Sequence, residues 1–314
     1  MIDPRRLRVL RALADHGTVT AAAQALYLSP SAVSQQLAAL EAEVGHALLE
    51  RRGRAVRLTA TGTVLAGHAA AVAMQLERAE ADLAAVSAGV AGEVSITAFS
   101  TAITEVVAPM VAWARDRAPQ VSFRVKDGEG RFALRLLADG EADVAVAVEN
   151  RDTLASGEDS LLREPLYAEP FDAVLPPGHP LAGAKEVGIA DLARAAWITP
   201  WPGNPVHDVV LRACETAGFQ PRVECVSDDF RAVCALVAVG AGVALVPRSA
   251  LSGLGRTGVI VRPVAGAPSR PVFTAIRRGG QGHPLLRFAL EGLREKAADL
   301  SERSPGTPTD RSTA

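Results

Sequence analysis

The sequence predicts an α/β chain in three successive parts: a small winged helix-turn-helix domain, a long connecting helix, and a larger α/β domain. Three observations lead there. Thr18–Leu40 scans as two short helices separated by a tight turn. From Leu65 onward apolar residues recur at alternating steps of four and three. After Gly92 short β-rich runs alternate with amphipathic helical runs to about Leu300.

Taken in order, Pro4 to His16 reads as a first helix, with Leu7, Leu10 and Leu13 on its core face and arginines on its outer face. Arg5 and Arg6 are placed to touch phosphate. Thr18 follows Gly17 and caps a second helix, Val19 to Leu26, whose alanines permit close approach of a neighbour. Ser29 is the next N-cap, and Pro30 stands at the first helical position, where its missing N–H costs nothing. From there Val33, Leu37, Leu40 and Val44 share one face, while Ser31, Ser34, Gln35 and Ala38 share the other. Short, uncharged, hydrogen-bonding side chains are what reading base edges in a major groove requires. Gly45 stops this helix. Leu48–Arg51 and Ala55–Leu58 then flank Arg52-Gly53-Arg54, a hairpin with arginines at its tip.

The run GTVTAAAQALYLSPSAVSQQLAALEAEVGHALLERRGRAVRLTATG resembles the N-terminal domain of LysR-type transcriptional regulators, and the match extends from about Leu7 to Gly62. The resemblance implies double-stranded DNA as a partner. Pro30, Ser31, Ser34 and Gln35 would contact DNA from the recognition helix, Thr18 from the preceding one, and Arg52 and Arg54 from a wing beside the minor groove. The family often has Gln before the Pro or Ser of the recognition helix; here Ser29-Pro30-Ser31 puts Pro30 there, where it offers apolar contact to a thymine methyl.

Thr59-Ala60-Thr61-Gly62 opens the long helix, which runs to about Ser87. Leu65, Ala69, Val72, Leu76, Ala79, Leu83 and Val86 form a narrow heptad seam. Such a helix is too long for one small domain to cover, so Leu65, Val72, Leu76 and Leu83 are expected to pair with a second copy. The family implies a homodimer and, through the effector domains, a homotetramer, with RNA polymerase as a further contact. Ser87 to Gly92 is small and glycine-rich, a hinge.

Beyond the hinge, strands are expected at Glu93–Ala98, Val121–Val125 and Asp143–Val148, with helices at Thr101–Arg117 and Phe132–Leu137 between them, arguing a parallel sheet. A strand pair follows at Leu161–Tyr167 and Phe171–Leu175. A short helix at Asp191–Ala196, a strand at Ala196–Thr199, a helix at Val206–Ala217, a strand at Arg222–Val226 and a helix at Asp229–Val239 come next. Strands at Gly242–Pro247, Val259–Val264 and Val272–Ile276 and a helix at Pro284–Leu300 complete the domain. The GHPLA, DLARAAWIT and VAVGAGVALVP segments resemble the family's effector-binding domain, a two-lobed fold like a type 2 periplasmic binding protein. The expected division is residues 1–60 for DNA binding, 61–88 for the linker helix, 89–300 for the effector domain and 301–314 for a disordered tail. Within the effector domain, lobe I comprises about 92–167 and 266–300, and lobe II about 168–265, with crossings near Ala168 and Ala265.

In an open α/β sheet a ligand sits beyond the strand ends, at helix N-termini. Ser100 and Thr101 stand at such a strand end, where the family resemblance places the inter-lobe cleft, with Val148 and Glu149 from the same lobe and Thr199, Trp201, Asp228 and Phe230 from the other. Free N–H groups and hydroxyls at Ser100–Thr101 suit a small polar effector, an anion first, although Glu149 nearby opposes one; the same hydroxyls also serve as ordinary caps.

Composition supports this reading. The chain of 314 residues carries a net charge of −2, but residues 1–60 hold eight arginines against five carboxylates, leaving the remainder acidic. No signal peptide or membrane span is visible, so a cytoplasmic location is expected. Cys214, Cys225 and Cys234 form no CxxC pair, and no metal-ligand spacing or cofactor motif appears. There is no nucleotide-binding glycine loop, GxSxG elbow or HExxH, so no enzyme activity is expected. The alternatives are a thiol-based redox-sensing regulator, and a cytoplasmic two-lobe solute-binding protein whose N-terminal helices are only an interaction module.

Overall fold

The computed structural model describes residues 2–52, 55–86, 91–150, 160–252 and 258–302. Helix α1 (Pro4–His16) starts at Asp3, whose carboxylate accepts from the Arg5 N–H, and ends at Gly17 in the left-handed region. Thr18 caps α2 (Val19–Ala25) by accepting from the Ala21 N–H. Ser29 does the same for Ala32 at the head of α3 (Pro30–Val44), which stops at Gly45. Leu10, Ala22, Val33, Leu37 and Leu40 are buried together as the core of this three-helix unit.

The wing consists of antiparallel strands β1 (Leu49–Arg52) and β2 (Ala55–Leu58). Its base is tied to the recognition helix by Glu41, whose Oε1 accepts from the Leu48 and Leu49 N–H groups at 2.8 and 3.0 Å. The expected contacts at Arg54 and Gly53 lie outside the described residues, as does the side chain of Arg52.

The long helix, α4 (Ala60–Val86), has 27 residues and so spans about 40 Å. Thr59 caps it through Gly62. Its seam divides along its length. Leu65, expected at the dimer seam, packs in part on the chain's own helix-turn-helix core. Val72, Leu76 (57% exposed) and Leu83 (71%) face outward. Most of the expected hinge, Ser87 to Val90, lies outside the described residues, as do residues 303–314 of the expected tail.

Lobe I is built on β3 (Gly92–Ala98), β4 (Val121–Asp127) and β5 (Val144–Val148). A continuous helix in three segments, α5 (Ser100–Ala102, π-helical Ile103–Val107, Ala108–Arg117), packs on one face with α10 (Pro284–Glu302), and α6 (Gly130–Ala138) on the other. Strand β3 runs parallel to both β4 and β5, but the sheet is mixed rather than parallel as expected. Strand β11 (Ser269–Arg277) re-enters from the other lobe and lies antiparallel to β5 and to β6 (Leu161–Leu175).

Strand β6 also corrects the expected pair of strands. It is one 15-residue strand. The polar and proline residues at Ala168-Glu169-Pro170, which interrupt the apolar pattern, pair with β11 throughout and mark where the strand passes from one lobe to the other. In lobe II the second half of β6 pairs with β9 (Ala244–Pro247) and β10 (Ile260–Pro263). Strands β7 (Ala196–Thr199) and β8 (Arg222–Val226) are parallel, with α7 (Pro205–Thr216) and α8 (Phe230–Ala238) packed against them and short α9 (Arg248–Leu251) after β9. The helix expected at Asp191–Ala196 is a single 3-10 turn, Ile189–Leu192, in which the Asp191 carboxylate takes the Gly188 N–H.

The N-terminal unit and linker dock on lobe I. Arg277, at the end of β11, pairs with Glu77 of α4 and with Asp143 and donates to the Leu137 and Ala142 carbonyls. His16 and Asp139 meet at 2.8 Å and are both largely buried, and Arg11 donates to the Ala138 carbonyl at 3.0 Å. Gly279 has φ +110, and a Cβ there would stand 2.5 Å from the Met74 carbonyl oxygen of α4. Gly279→Ala therefore adds backbone strain of about 1–3 kcal/mol to a backbone collision. The expected result is a lower thermal midpoint together with faster amide exchange over Met74–Arg78 and an unchanged far-UV spectrum; exchange there at the wild-type rate would show that this contact does not hold the linker.

Candidate functional site

Two surfaces carry the chemistry. On the first, burying Val33, Leu37 and Leu40 turns Ser31, Ser34, Gln35 and Ala38 of α3 outward. The hydroxyls are partly engaged: Ser34 donates to the Pro30 carbonyl at 2.9 Å, and Ser31 shares a hydrogen bond with the capping Ser29. Ser34 thus keeps acceptor capacity only, and Gln35 stands out as the exposed side chain with both a donor and an acceptor to offer. Thr18 is exposed and uses its oxygen as a cap, leaving its hydroxyl hydrogen to donate. Arg6, expected at phosphate, is instead paired with Glu43 at the far end of α3, while Arg5 remains exposed.

The second surface is the junction of the two lobes. Strand β3 delivers the chain into α5 at Phe99, which is the N-cap residue and makes no side-chain cap bond, so neither Ser100 nor Thr101 acts as a cap. Thr101 is engaged differently: its Oγ1 accepts from Arg270 Nη2 at 2.7 Å. Arg270 is 1% exposed and lies on β11 directly opposite Glu169 of β6, which is 4% exposed. Glu169 Oε2 accepts from Nε and Nη2 of Arg270 at 2.8 and 2.6 Å, and its Oε1 takes the Ser249 N–H of lobe II at 2.9 Å. The guanidinium also lies 4.6 Å from the centre of the Phe99 ring. A buried ion pair thus sits where the strands cross between lobes, with one end at Thr101.

From lobe II, Asn204 caps α7 and reaches across: its Nδ2 lies 3.1 Å from Asp228 Oδ1 and 3.4 Å from Glu129 Oε2 of lobe I. Asp228 also takes the Trp201 N–H at 3.0 Å, which fixes the exposed Trp201 at the rim. Burial pushes the Glu129 carboxyl above its ordinary range; Arg270 opposes this, and Asp228 and Asp127 reinforce it. Thr199 is fully buried, and its hydroxyl has no hydrogen-bond partner among the described residues.

Of the residues expected at the cleft, then, Thr101 belongs to the Arg270–Glu169 set and Trp201 and Asp228 to the Asn204–Glu129 set, with Thr199 leading into the Trp201 loop. Ser100 and Glu149 are exposed at the edge of the cleft. The side chains of Val148 and, in part, Phe230 are turned toward the lobe cores. Val148 is packed in the lobe I core, and Phe230 packs against both apolar clusters of lobe II, because each lies on an element whose inward face the core claims. Arg270, Glu169, Glu129 and Asn204 are additions. Asn204-Pro205 carried a cap signal of the usual kind, whereas nothing local to Arg270 or Glu169 announces a buried charge.

The cysteines are free thiols. Cys214 and Cys234 are fully buried in separate apolar clusters of lobe II. Burial pushes the Cys214 thiol up to about 11 and raises that of Cys234 as well, which disfavours the reactive thiolate at both. Among the described residues no cluster of His, Cys, Asp and Glu fit to hold a metal ion occurs, and no helix is long and apolar enough to cross a membrane.

Comparison with known proteins adds the family. Residues 4–63 match the model described as "Bacterial regulatory helix-turn-helix protein, lysR family", and residues 87–298 match "LysR substrate binding domain". The chain is 32% identical over 250 residues to the "Probable hydrogen peroxide-inducible genes activator" of Mycobacterium avium, covering 78% of each. It is 28% identical over 249 residues to the "Transcriptional dual regulator GltC" of Bacillus subtilis, covering 79% of this chain and 81% of that one. Among solved structures, a full-length OxyR variant from Pseudomonas aeruginosa superposes with a TM-score of 0.64 at 25% identity, covering 95% of each chain. CbnR bound to its target DNA superposes with a TM-score of 0.55 at 24% identity, covering 94% of this chain and 99% of that one, a likeness of fold.

The hinge ion pair is open to a direct test. Arg270→Met leaves Glu169 buried without its cation and is expected to cost about 3–5 kcal/mol. Replacing both residues by apolar ones is expected to recover most of that loss. Urea unfolding followed by tryptophan fluorescence measures it, and a loss under 1 kcal/mol (about a fivefold change in the folding equilibrium) would mean that the pair is not buried in solution.

Proposed function

Since the chain belongs to the LysR family of transcriptional regulators, with a helix-turn-helix DNA-binding domain joined to an effector-binding domain, we propose that it reads a promoter through the outward face of α3 and answers to a small molecule held between its lobes. The observation that supports this most is the pairing of an exposed Ser31, Ser34 and Gln35 face with a cleft network that joins Thr101 to the crossing strands. In this reading Pro30 and Thr18 assist at the major groove and Arg52 and Arg54 act from the wing. Residues 1–60 bind DNA, 61–88 link and dimerise, and 89–300 sense. The protein works in the cytoplasm as a dimer of α4 helices, assembles to a tetramer through the effector domains, and engages RNA polymerase from the promoter. It carries out no chemistry on the effector.

Gln35 is the side chain on which sequence reading rests, since a glutamine pairs with adenine through two hydrogen bonds, about 1–3 kcal/mol of discrimination. Gel shifts on the DNA upstream of its own gene, titrated with salt, are expected to show specific binding that weakens as salt rises. In a binding-site selection Gln35→Ala is expected to lose preference at one base position of each half-site. An unchanged sequence preference would remove Gln35 from the interface.

The seam is tested separately. Leu76 is exposed on α4 between Val72 and Leu83, and Leu76→Lys places a charge where a second helix would bury it. Light scattering is expected to show a smaller species than the wild type. A wild type that is already monomeric at micromolar concentration would refute pairing through α4.

A further inference from the structure

We propose that the effector carries a positively charged nitrogen, as an ammonium or amidinium group, and that Glu129 receives it. This inference rests on the cleft being the effector site. It replaces the anion that the helix start at Ser100–Thr101 leads one to expect.

Charge accounting at the lobe junction carries the argument. The buried cation there is Arg270, and its positive charge is already matched by Glu169 through two hydrogen bonds, with Thr101 and the Phe99 ring filling more of its surroundings. Arg248, the neighbouring cation on the lobe II side, is held in a two-point grip by Asp172 at 3.0 and 2.8 Å. Arg131 and Arg231, which open α6 and α8, are exposed to solvent.

The carboxylates are not matched in this way. Glu129 from lobe I and Asp228 from lobe II converge on one amide nitrogen, that of Asn204. Asp228 has a second donor in the Trp201 N–H, but the long 3.4 Å contact to Asn204 is the hydrogen bond that the Glu129 carboxylate makes among the described residues. Its burial, with Asp228 and Asp127 close by, disfavours its negative charge on balance, against the opposing charge of Arg270 and the hydrogen bond from Asn204. An anion placed here would meet the half-buried Glu129 and the exposed Asp228 and Asp127, whose repulsion a cation would relieve.

Two further groups point to a ligand. The hydroxyls of Thr97 and Thr199 are fully buried, and neither has a hydrogen-bond partner among the described residues. Buried polar groups are ordinarily satisfied. Thr97 lies directly against the turn that carries Glu129: a Cβ on Gly128 would stand 2.6 Å from its Oγ1. Gly130, on the other side of Glu129, has φ +52 and abuts Pro205 of lobe II, so the turn is pressed between the lobes. With no metal-binding cluster among the described residues, an organic cation is the species that fits.

The test uses the full-length protein, without DNA, at fixed ionic strength. Thermal midpoints are measured with 1,4-diaminobutane, 1,5-diaminopentane and agmatine, and with succinate and glutarate, which match the diamines in length with the opposite charge. At least one amine is expected to raise the wild-type midpoint by about 2–4 °C at roughly 10 mM. Glu129→Gln, which keeps the shape and removes the charge, is expected to abolish that shift, and Glu129→Asp to restore part of it. An amine shift that survives Glu129→Gln overturns the role of Glu129. No shift with any amine, or a larger shift with a dicarboxylate, overturns the cation. A dicarboxylate shift that Thr101→Ala abolishes would keep the cleft as the effector site while sinking this proposal. A shift indifferent to both Thr101→Ala and Glu129→Gln would place the binding site elsewhere.

Discussion

Arg270 and Glu169 face each other on the two strands that carry the chain between lobes, and almost everything at the cleft is arranged about their contact. Taking two charges out of water costs several kcal/mol per ion, and the mutual attraction offsets this only when the remaining hydrogen-bonding capacity is also used. Here it is. The second oxygen of Glu169 takes a backbone N–H from α9 of lobe II, and the guanidinium reaches Thr101 at the start of α5 in lobe I. The pair therefore joins the two crossing strands to one helix of each lobe. An apolar pair of the same volume would hold the strands together as well, but it would not fix the position of Thr101 or of Ser249.

The acidic character of the junction follows from that arrangement. With Arg270 committed to Glu169, the half-buried Glu129 and the exposed Asp228 and Asp127 stand at the junction with no further buried cation beside them among the described residues. Asn204 stands between Glu129 and Asp228 as a shared donor, which lets two carboxylates approach from opposite lobes. A ligand can bias the closure of two lobes only by binding one arrangement better than the other. Groups contributed by both lobes to one point provide that difference.

How much of this was legible in the sequence depends on the range of the interaction. The helix-turn-helix was written in local signals: Thr18 and Ser29 as caps, Pro30 at a first turn, Gly17 and Gly45 at the ends, and the spacing of Val33, Leu37 and Leu40. Strand β7 (Ala196–Thr199) and strand β8 (Arg222–Val226) were equally plain, as short apolar or alternating runs bounded by turns. The cleft was legible as a place, through Thr101, Thr199 and Asp228 beside strand ends, but not as chemistry. Glu169 and Arg270 are 101 residues apart, and their opposition depends on the register of β6 against β11. Glu129 and Asn204 are 75 residues apart and lie in different lobes. Val148 and Phe230 show the converse: their positions at element ends suit a cleft, while their side chains pack wholly (Val148) or partly (Phe230) on the cores.

The same register that hides Arg270 gives its strand a second role. Strand β11 holds Arg270 near its start and Arg277 at its end, a separation of about 23 Å at the rise of a strand. It is hydrogen-bonded to β5 on one side and to β6 on the other, with one shift of register against β6 between Val272 and Phe273. At the far end Arg277 pairs with Glu77 of α4 and with Asp143, whose other oxygen takes the Ser95 N–H of β3. One strand thus has its first turn of contacts in the cleft and its last on the linker helix. Arg277 ties β11 to α4 through Glu77 and to β3 through Asp143. The contact of Gly279 with Met74 seats the following turn against the same stretch of helix. The linker helix is therefore held against lobe I by Arg277 and by the turn at Gly279.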